Sequence, residues 1–329
     1  MIRQYRSALL APLVLVLALV GVDPVVAAVH GATTVANRSA AICGTRVAVP
    51  KYRHVIVIME ENHSYGAIVK SSSAPFIQSV IARCGLATSY HSVTHPSLPN
   101  YLALTFGGSV GSLTPYLGDC SPNSCSGSVH ANDLFHQLTK RGWMSFEESM
   151  PSSCDPNASG NYSPKHNPAM YFSDLTKSCH QRDVALGTPH KSALLRALSS
   201  ERLAPAFTLV TPNLCDDMHS CSVGTGDTWL RTWLPLITRS KVYKNQDTAV
   251  FIVWDEGEPG STAERCATNT SDQSCHVAAI VVAPSVKRGE KVRTSFSHYS
   301  LLKTIEVLLK LPELGGARSA ASMAKGFNL

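Results

Sequence analysis

Four short polar clusters in this chain hold residue types that can do chemistry together. In Glu60-Glu61-Asn62-His63-Ser64 a carboxylate stands next to an amide oxygen, and in Trp254-Asp255-Glu256 two carboxylates are adjacent. Hard oxygen donors of this kind suit a divalent cation. The third cluster, His95-Pro96-Ser97-Leu98-Pro99-Asn100-Tyr101, leads into the helical run Leu102 to Thr105. A helix beginning near Pro99 puts Ser97 at an N-terminal end, where free backbone N–H groups and the helix dipole attract an anion. A serine there can meet a phosphate, with His95 and Asn100 as hydrogen-bond donors to phosphoryl oxygens. The fourth runs Asn213-Leu-Cys-Asp216-Asp217-Met218-His219. His219 can donate to a phosphoryl oxygen, protonate a leaving group or bind metal, and Asp217 can orient it. His166 and His298 stand in two weaker turn-like clusters, Lys165-His166-Asn167-Pro168 and Ser297-His298-Tyr299-Ser300.

Each cluster also has a plainer reading. Acidic residues after a strand are common in solvated loops, and a serine ahead of a helix is most often its cap. His219 could be held structurally in a loop closed by Cys215 and Cys221. Asp227 reads as the cap of its own helix.

The elements that must position these clusters alternate between strand and helix, the pattern of an α/β fold with a mostly parallel central sheet and helices on both faces. The clearest strands are His54–Met59, Trp143–Phe146, Ala206–Val210, Ala249–Trp254 and Val277–Ala283. Their near-continuous β-branched runs imply burial on both faces. Helices are expected from Pro75 to Gly85, Asp133 to Arg141, Lys191 to Ser199, Asp227 to Thr238 and Ser300 to Lys310. In such sheets ligands bind beyond the carboxyl ends of the strands, and the polar clusters follow the apolar runs.

Residues 1–28 read as a signal peptide: Arg3 and Arg6 precede an apolar run from Ala8 to Val22, then small residues end at Ala27-Ala28. That run is about 15 residues, short of the roughly 20 that span a bilayer, and no later segment qualifies. The protein is therefore expected to be secreted, with no stable membrane span. The ten cysteines, in an oxidising compartment and without paired CxxC spacings, favour disulfides over a zinc site. Proximity suggests Cys43–Cys84, Cys120–Cys125, Cys154–Cys179, Cys215–Cys221 and Cys266–Cys275, among hundreds of pairings. Net charge is +6 for the whole chain. Scattered Lys and Arg residues suit an anionic substrate and give no nucleic-acid footprint. The expected organisation is leader 1–28, N-terminal extension 29–49, catalytic domain 50–315 and C-terminal tail 316–329. Oligomeric state is not legible.

Taken in order, Glu61-Asn62, His95-Pro-Ser97-x-Pro-Asn100-Tyr101, Asn213…Asp217-Met-His219, Trp254-Asp255-Glu256 and Ser297-His298-Tyr299 resemble the bacterial phosphoesterase family of acid phosphatases and phospholipases C. Further matches at Ala74-Pro-Phe-Ile77 and Gly226-Asp-x-Trp-Leu230 extend the resemblance over roughly residues 50 to 315. The resemblance implies an alkaline-phosphatase-like fold and a serine nucleophile at Ser97; the leaving alcohol is expected to take its proton from water or a nearby histidine such as His219. It implies one divalent metal ion, of unknown identity, on Glu61, Asn62, Asp255 and Glu256. His95, Asn100, His166, Asp217 and His298 fall on polar family positions and are expected to bind substrate. Glu256 departs from relatives that place a second aspartate there. The expected substrate is a phosphorylated small molecule or a phosphoinositide lipid, such as phosphatidylinositol 3-phosphate, cleaved as a monoester through a phosphoserine. The rivals are a phospholipase C-type phosphodiesterase and a non-catalytic secreted binding protein.

Overall fold

Strands buried on both faces need apolar, β-branched residues throughout, and His-Val-Ile-Val-Ile-Met-Glu at 54–60 and Thr-Ala-Val-Phe-Ile-Val-Trp at 248–254 form such strands, every residue buried. The computed structural model describes residues 41–125, 129, 132–175, 178–245, 247–258, 266 and 271–329. The expected leader at 1–28 lies outside them. In chain order the strands are β1 (His54–Glu60), β2 (Gly85–His91), β3 (Trp143–Glu147), β4 (Asp183–Ala185), β5 (Gly187–Thr188), β6 (Lys191–Ser192), β7 (Phe207–Thr211), β8 (Thr248–Trp254), β9 (His276–Val282), β10 (Glu290–Val292) and β11 (Phe296–Ser297).

The central sheet runs β10-β2-β9-β8-β1-β7-β3-β4, with β11 also paired to β2, while β5 and β6 form a separate hairpin. It is mostly parallel, as the alternating pattern implies; β9 alone is reversed, antiparallel to both β8 and β2. β1 sits between β7 and β8, and the register pairs Glu60 with Trp254. Parallel strands end at one edge of the sheet, so Glu61 and Asp255 emerge as neighbours, with the Asp255 N–H donating to the Glu60 carbonyl at 3.0 Å.

The ten-residue helix Ser97–Phe106 follows the carboxyl end of β2. It stops at Gly107, whose φ of +69° is left-handed and whose missing Cβ would lie 2.8 Å from the Leu314 carbonyl oxygen. The helix His298–Leu309 begins where β11 ends and packs against Ser97–Phe106. A second pair, Pro75–Arg83 and Val223–Thr238, is joined by a contact that corrects one expectation. Asp227 does not cap its own helix, which starts a turn earlier on Ser222; its carboxylate accepts from Phe76 N (3.2 Å) and Ile77 N (2.7 Å), capping the neighbouring helix instead. The expected helices at 133–141 and 191–199 shorten to Leu134–Gln137 and Ala193–Ala197.

All five expected cysteine pairs are bonded. Residues 316–329, read as a tail, return to the core, where Met323 and Phe327 are buried. No described helix is long and apolar enough to cross a membrane.

Candidate active site

Ser97 is the first residue of its helix, and its hydroxyl does not cap it. Ser97 Oγ donates to Glu61 Oε2 at 3.0 Å and lies 3.4 Å from Glu256 Oε1. The hydroxyl is thus turned toward the acidic strand ends and buried with them. Asn62 has a φ of +46°, a left-handed value that asparagine tolerates better than most residues. That bend lets the Asn62 N–H reach Asp255 Oδ1 at 3.1 Å, tying the two strand ends together.

The histidines divide by partner. His95 Nδ1 lies 2.6 Å from Glu256 Oε2 and its Nε2 3.2 Å from Ser274 Oγ, so the imidazole orients the glutamate. His166 is buried, with Nε2 3.3 Å from Glu61 Oε1 and Nδ1 3.5 Å from Asp217 Oδ2. His219 is half-buried and stands beside His166, ring centroids 5.6 Å apart, while its backbone N–H is held by Asp217 Oδ1 at 2.8 Å. His298 Nε2 lies 2.6 Å from the Asp255 carbonyl oxygen and Nδ1 3.0 Å from the Tyr90 hydroxyl. Asn100 faces the backbone: its Oδ1 accepts from Val93 N and Thr94 N at 2.8 and 3.2 Å, and its Nδ2 donates to the Thr94 carbonyl at 2.8 Å. Its amide therefore braces the turn that presents Ser97.

One patch thus gathers Ser97, Glu61, Asn62, Asp255, Glu256, His95, His166, Asp217 and His219, with Asn100 and His298 behind it as supports. A family model described as the Phosphoesterase family matches residues 67–312. The chain belongs to the phosphoesterase family.

Among its relatives this phosphoesterase is 31% identical to a phosphatidylinositol-3-phosphatase of Mycobacterium tuberculosis, over 83% of this chain and 82% of that protein. It is 25% identical to an acid phosphatase of Aspergillus fumigatus over 70% of this chain, an alignment that spans only 49% of the fungal protein. A solved structure of an alkaline phosphatase superfamily protein from Vibrio parahaemolyticus shares the fold, with a TM-score of 0.55 at 12% identity over 84% of this chain and 71% of that one. The phosphoesterase is a phosphoric ester hydrolase of α/β, alkaline-phosphatase-like fold.

Its site crowds several buried carboxyl groups together. Burial holds the Glu61 carboxyl well above the usual range, and the charges of Asp255 and Asp217 raise it further. Burial and Glu256 do the same to Asp255. Asp217 is pushed up to about 7, chiefly by burial. Burial drives His166 down to about 3 and His298 to about 4, so both rings are neutral at pH 7 and cannot offset the carboxylates. Two buried oxygens, Asn62 Oδ1 and Asp255 Oδ2, have no hydrogen-bond partner. Hard oxygens left without donors, beside carboxyl groups whose ionisation a cation would favour, fit a divalent cation. Glu61, His166 and His219 also bring ligand atoms within 4.8 Å of one another, so Glu61 belongs to two possible donor groups.

Three further residues serve the site. Tyr101 is one helical turn beyond Ser97, and its hydroxyl donates to Glu61 Oε1 at 2.6 Å; that i, i+4 spacing was a usable signal. Asp119 and Lys165 form a pair at 2.8 Å beside the helix Ser97–Phe106. Nothing local in the sequence marks Asp119. An open cavity of about 540 Å³, walled by Pro189, Asp216, Trp229 and Trp233, shares the Asn213–His219 segment with the site.

Proposed function

We propose that this phosphoesterase is a secreted, metal-assisted phosphatase that hydrolyses phosphate monoesters through a phosphoserine at Ser97. The observation that carries the reading is the Ser97 hydroxyl at a helix N-terminus, within 3.0 Å of Glu61 and 3.4 Å of Glu256. Glu61, Asn62, Asp255 and Glu256 would hold one divalent cation. When bound, such a cation acidifies a neighbouring hydroxyl and offsets phosphoryl charge.

The residues of the chain do the rest. Ser97 loses its hydroxyl proton to water, and its Oγ attacks phosphorus in line and keeps the phosphoryl group as its oxygen–phosphorus bond forms and the bond to the leaving alcohol breaks. His219, at the open side of the site, supplies the proton that the alcohol needs, directly or through water. Water then hydrolyses the phosphoserine, releasing inorganic phosphate. His95 and Asn100 fix Glu256 and the Ser97 turn, Tyr101 and His166 fix Glu61, and the Tyr90–His298 pair fixes the Asp255 backbone.

The mycobacterial relative, named a phosphatidylinositol-3-phosphatase, supports a phosphoinositide headgroup as one substrate. Five disulfides and the leader-like segment at 1–28 support secretion, with residues 50–315 as the catalytic domain. The test is acid quenching during turnover of a monoester, followed by peptide mapping. Phosphate on Ser97 itself is the expected result; phosphate on another hydroxyl-bearing residue, with none on Ser97, would overturn the reading.

A further inference from the structure

The second amide of the nucleophile helix is already occupied. Leu98 N–H, the donor next to Ser97, is taken by Asp119 Oδ1 at 2.9 Å. The other oxygen of the same carboxylate, Asp119 Oδ2, accepts from Lys165 Nζ at 2.8 Å. One carboxylate thus bridges the amide beside the nucleophile and an ammonium group. Lys165 belongs to the site electrostatically, since its charge bears on Glu61 and Asp255 as well as on Asp119. It sits on the Pro164–His166 turn, so the same three residues deliver His166, whose Nε2 is buried, faces Glu61 and has no hydrogen-bond partner. Asp119 reaches this position with a left-handed φ of +51°, next to the Cys120–Cys125 bridge. Both side chains of the pair keep some exposure, 22% for Lys165 and 18% for Asp119, so solvent and solutes reach them.

We infer that Lys165 and the Leu98 amide are phosphoryl-oxygen donors of this site, and that the Asp119 carboxylate occupies them in the substrate-free enzyme as an internal substitute for substrate. The inference rests on Ser97 as the nucleophile. Two anionic oxygens on one centre satisfy an amide and an ammonium, and a phosphate monoester offers the same arrangement with more charge. Substrate binding then exchanges Asp119 for phosphate at both donors. A monoester carries one more negative charge than a diester, so Lys165 favours the monoester. Asp119 works against binding of either.

The probes are inorganic phosphate as a competitive inhibitor, a nitrophenyl phosphate monoester and the corresponding bis-ester, applied to the full chain. Asp119→Asn is expected to lower the phosphate Ki and the monoester KM by about three- to tenfold, because the internal competitor loses its charge. Lys165→Gln should raise both by about tenfold or more and change the bis-ester KM far less, and Lys165→Arg should recover part of the loss. Calorimetric binding of phosphate to Lys165→Arg gives the same answer without turnover, and thermal unfolding of each variant verifies folding. A higher phosphate Ki in Asp119→Asn would make Asp119 a support for Lys165 and overturn its role as competitor. An unchanged phosphate Ki in Lys165→Gln would remove Lys165 from the site. Either result leaves Ser97 untouched, whereas wild-type turnover by Ser97→Ala strikes the nucleophile and not the phosphate contacts.

Discussion

Ser97 Oγ and Glu61 Oε2 stand 3.0 Å apart although 36 residues separate them in the chain. The contact joins the start of a helix to the end of β1, the strand between β7 and β8 in the parallel part of the sheet. Because Glu61 Oε1 receives the Tyr101 hydroxyl at 2.6 Å, both oxygens of one buried carboxylate are fixed by the same helix.

Tyr101→Phe should expose that dependence. Removing the hydroxyl leaves a buried carboxylate oxygen short of a donor, at a cost of about 1–3 kcal/mol. We expect kcat/KM for a monoester to fall about tenfold, with a melting temperature lowered by several degrees. Steady-state kinetics and thermal unfolding of the variant measure both.

Glu256→Gln should act on cation binding. The glutamate is held by His95 on one oxygen and lies near Ser97 with the other. Neutralising it is expected to raise the concentration of divalent cation needed for half-maximal activity by about 10- to 100-fold after chelation. Titration of cations into the chelated enzyme measures the shift, and an unchanged requirement would take Glu256 out of the donor set.

How much of this arrangement was legible follows from where the information lies. β1 and β8 announce themselves by continuous apolar runs, and Glu61, Asn62, Asp255 and Glu256 follow as their ends. β2 does not, because Gly-Leu-Ala-Thr-Ser-Tyr-His has neither a continuous apolar run nor a clean alternation; it exists through pairing with β9, β10 and β11. Yet β2 delivers Ser97, and its register with β11, Tyr90 opposite Phe296 and His91 opposite Ser297, delivers His298. Local sequence therefore named these residues without showing what carries them. The reversed β9, the Asp227 cap on a neighbouring helix and the Asp119–Lys165 pair are long-range facts with no local signature.

Buried carboxylates away from the site make stability depend on pH. Asp183, at the start of β4, is pushed from 3.8 up to about 7, chiefly by burial, with the Asn167 amide opposing. A carboxyl raised in the folded state favours folding below its unfolded pKa and loses that contribution as pH rises through the folded value. For one such group the slope is about 1.4 kcal/mol per pH unit between the two values. Asp183→Asn is expected to flatten the stability curve between pH 4 and pH 7. Denaturant unfolding across that range, with chelator present, reads the difference.

The Cys43–Cys84 bridge closes a loop across a sequence separation of 41 and pins the residues before β1 to the end of the helix Pro75–Arg83. The chain-entropy relation puts its contribution at about 4 kcal/mol. Replacing both cysteines with serine should lower stability by that order, with little change in KM because neither sulfur is near Ser97. Denaturant titration and monoester kinetics on the double variant test both halves.

The most direct test of the whole account is monoester turnover by Ser97→Ala, compared with wild type in the same buffer and cation. The account predicts a loss of at least about 1,000-fold in kcat with folding intact. Turnover within tenfold of wild type would contradict it.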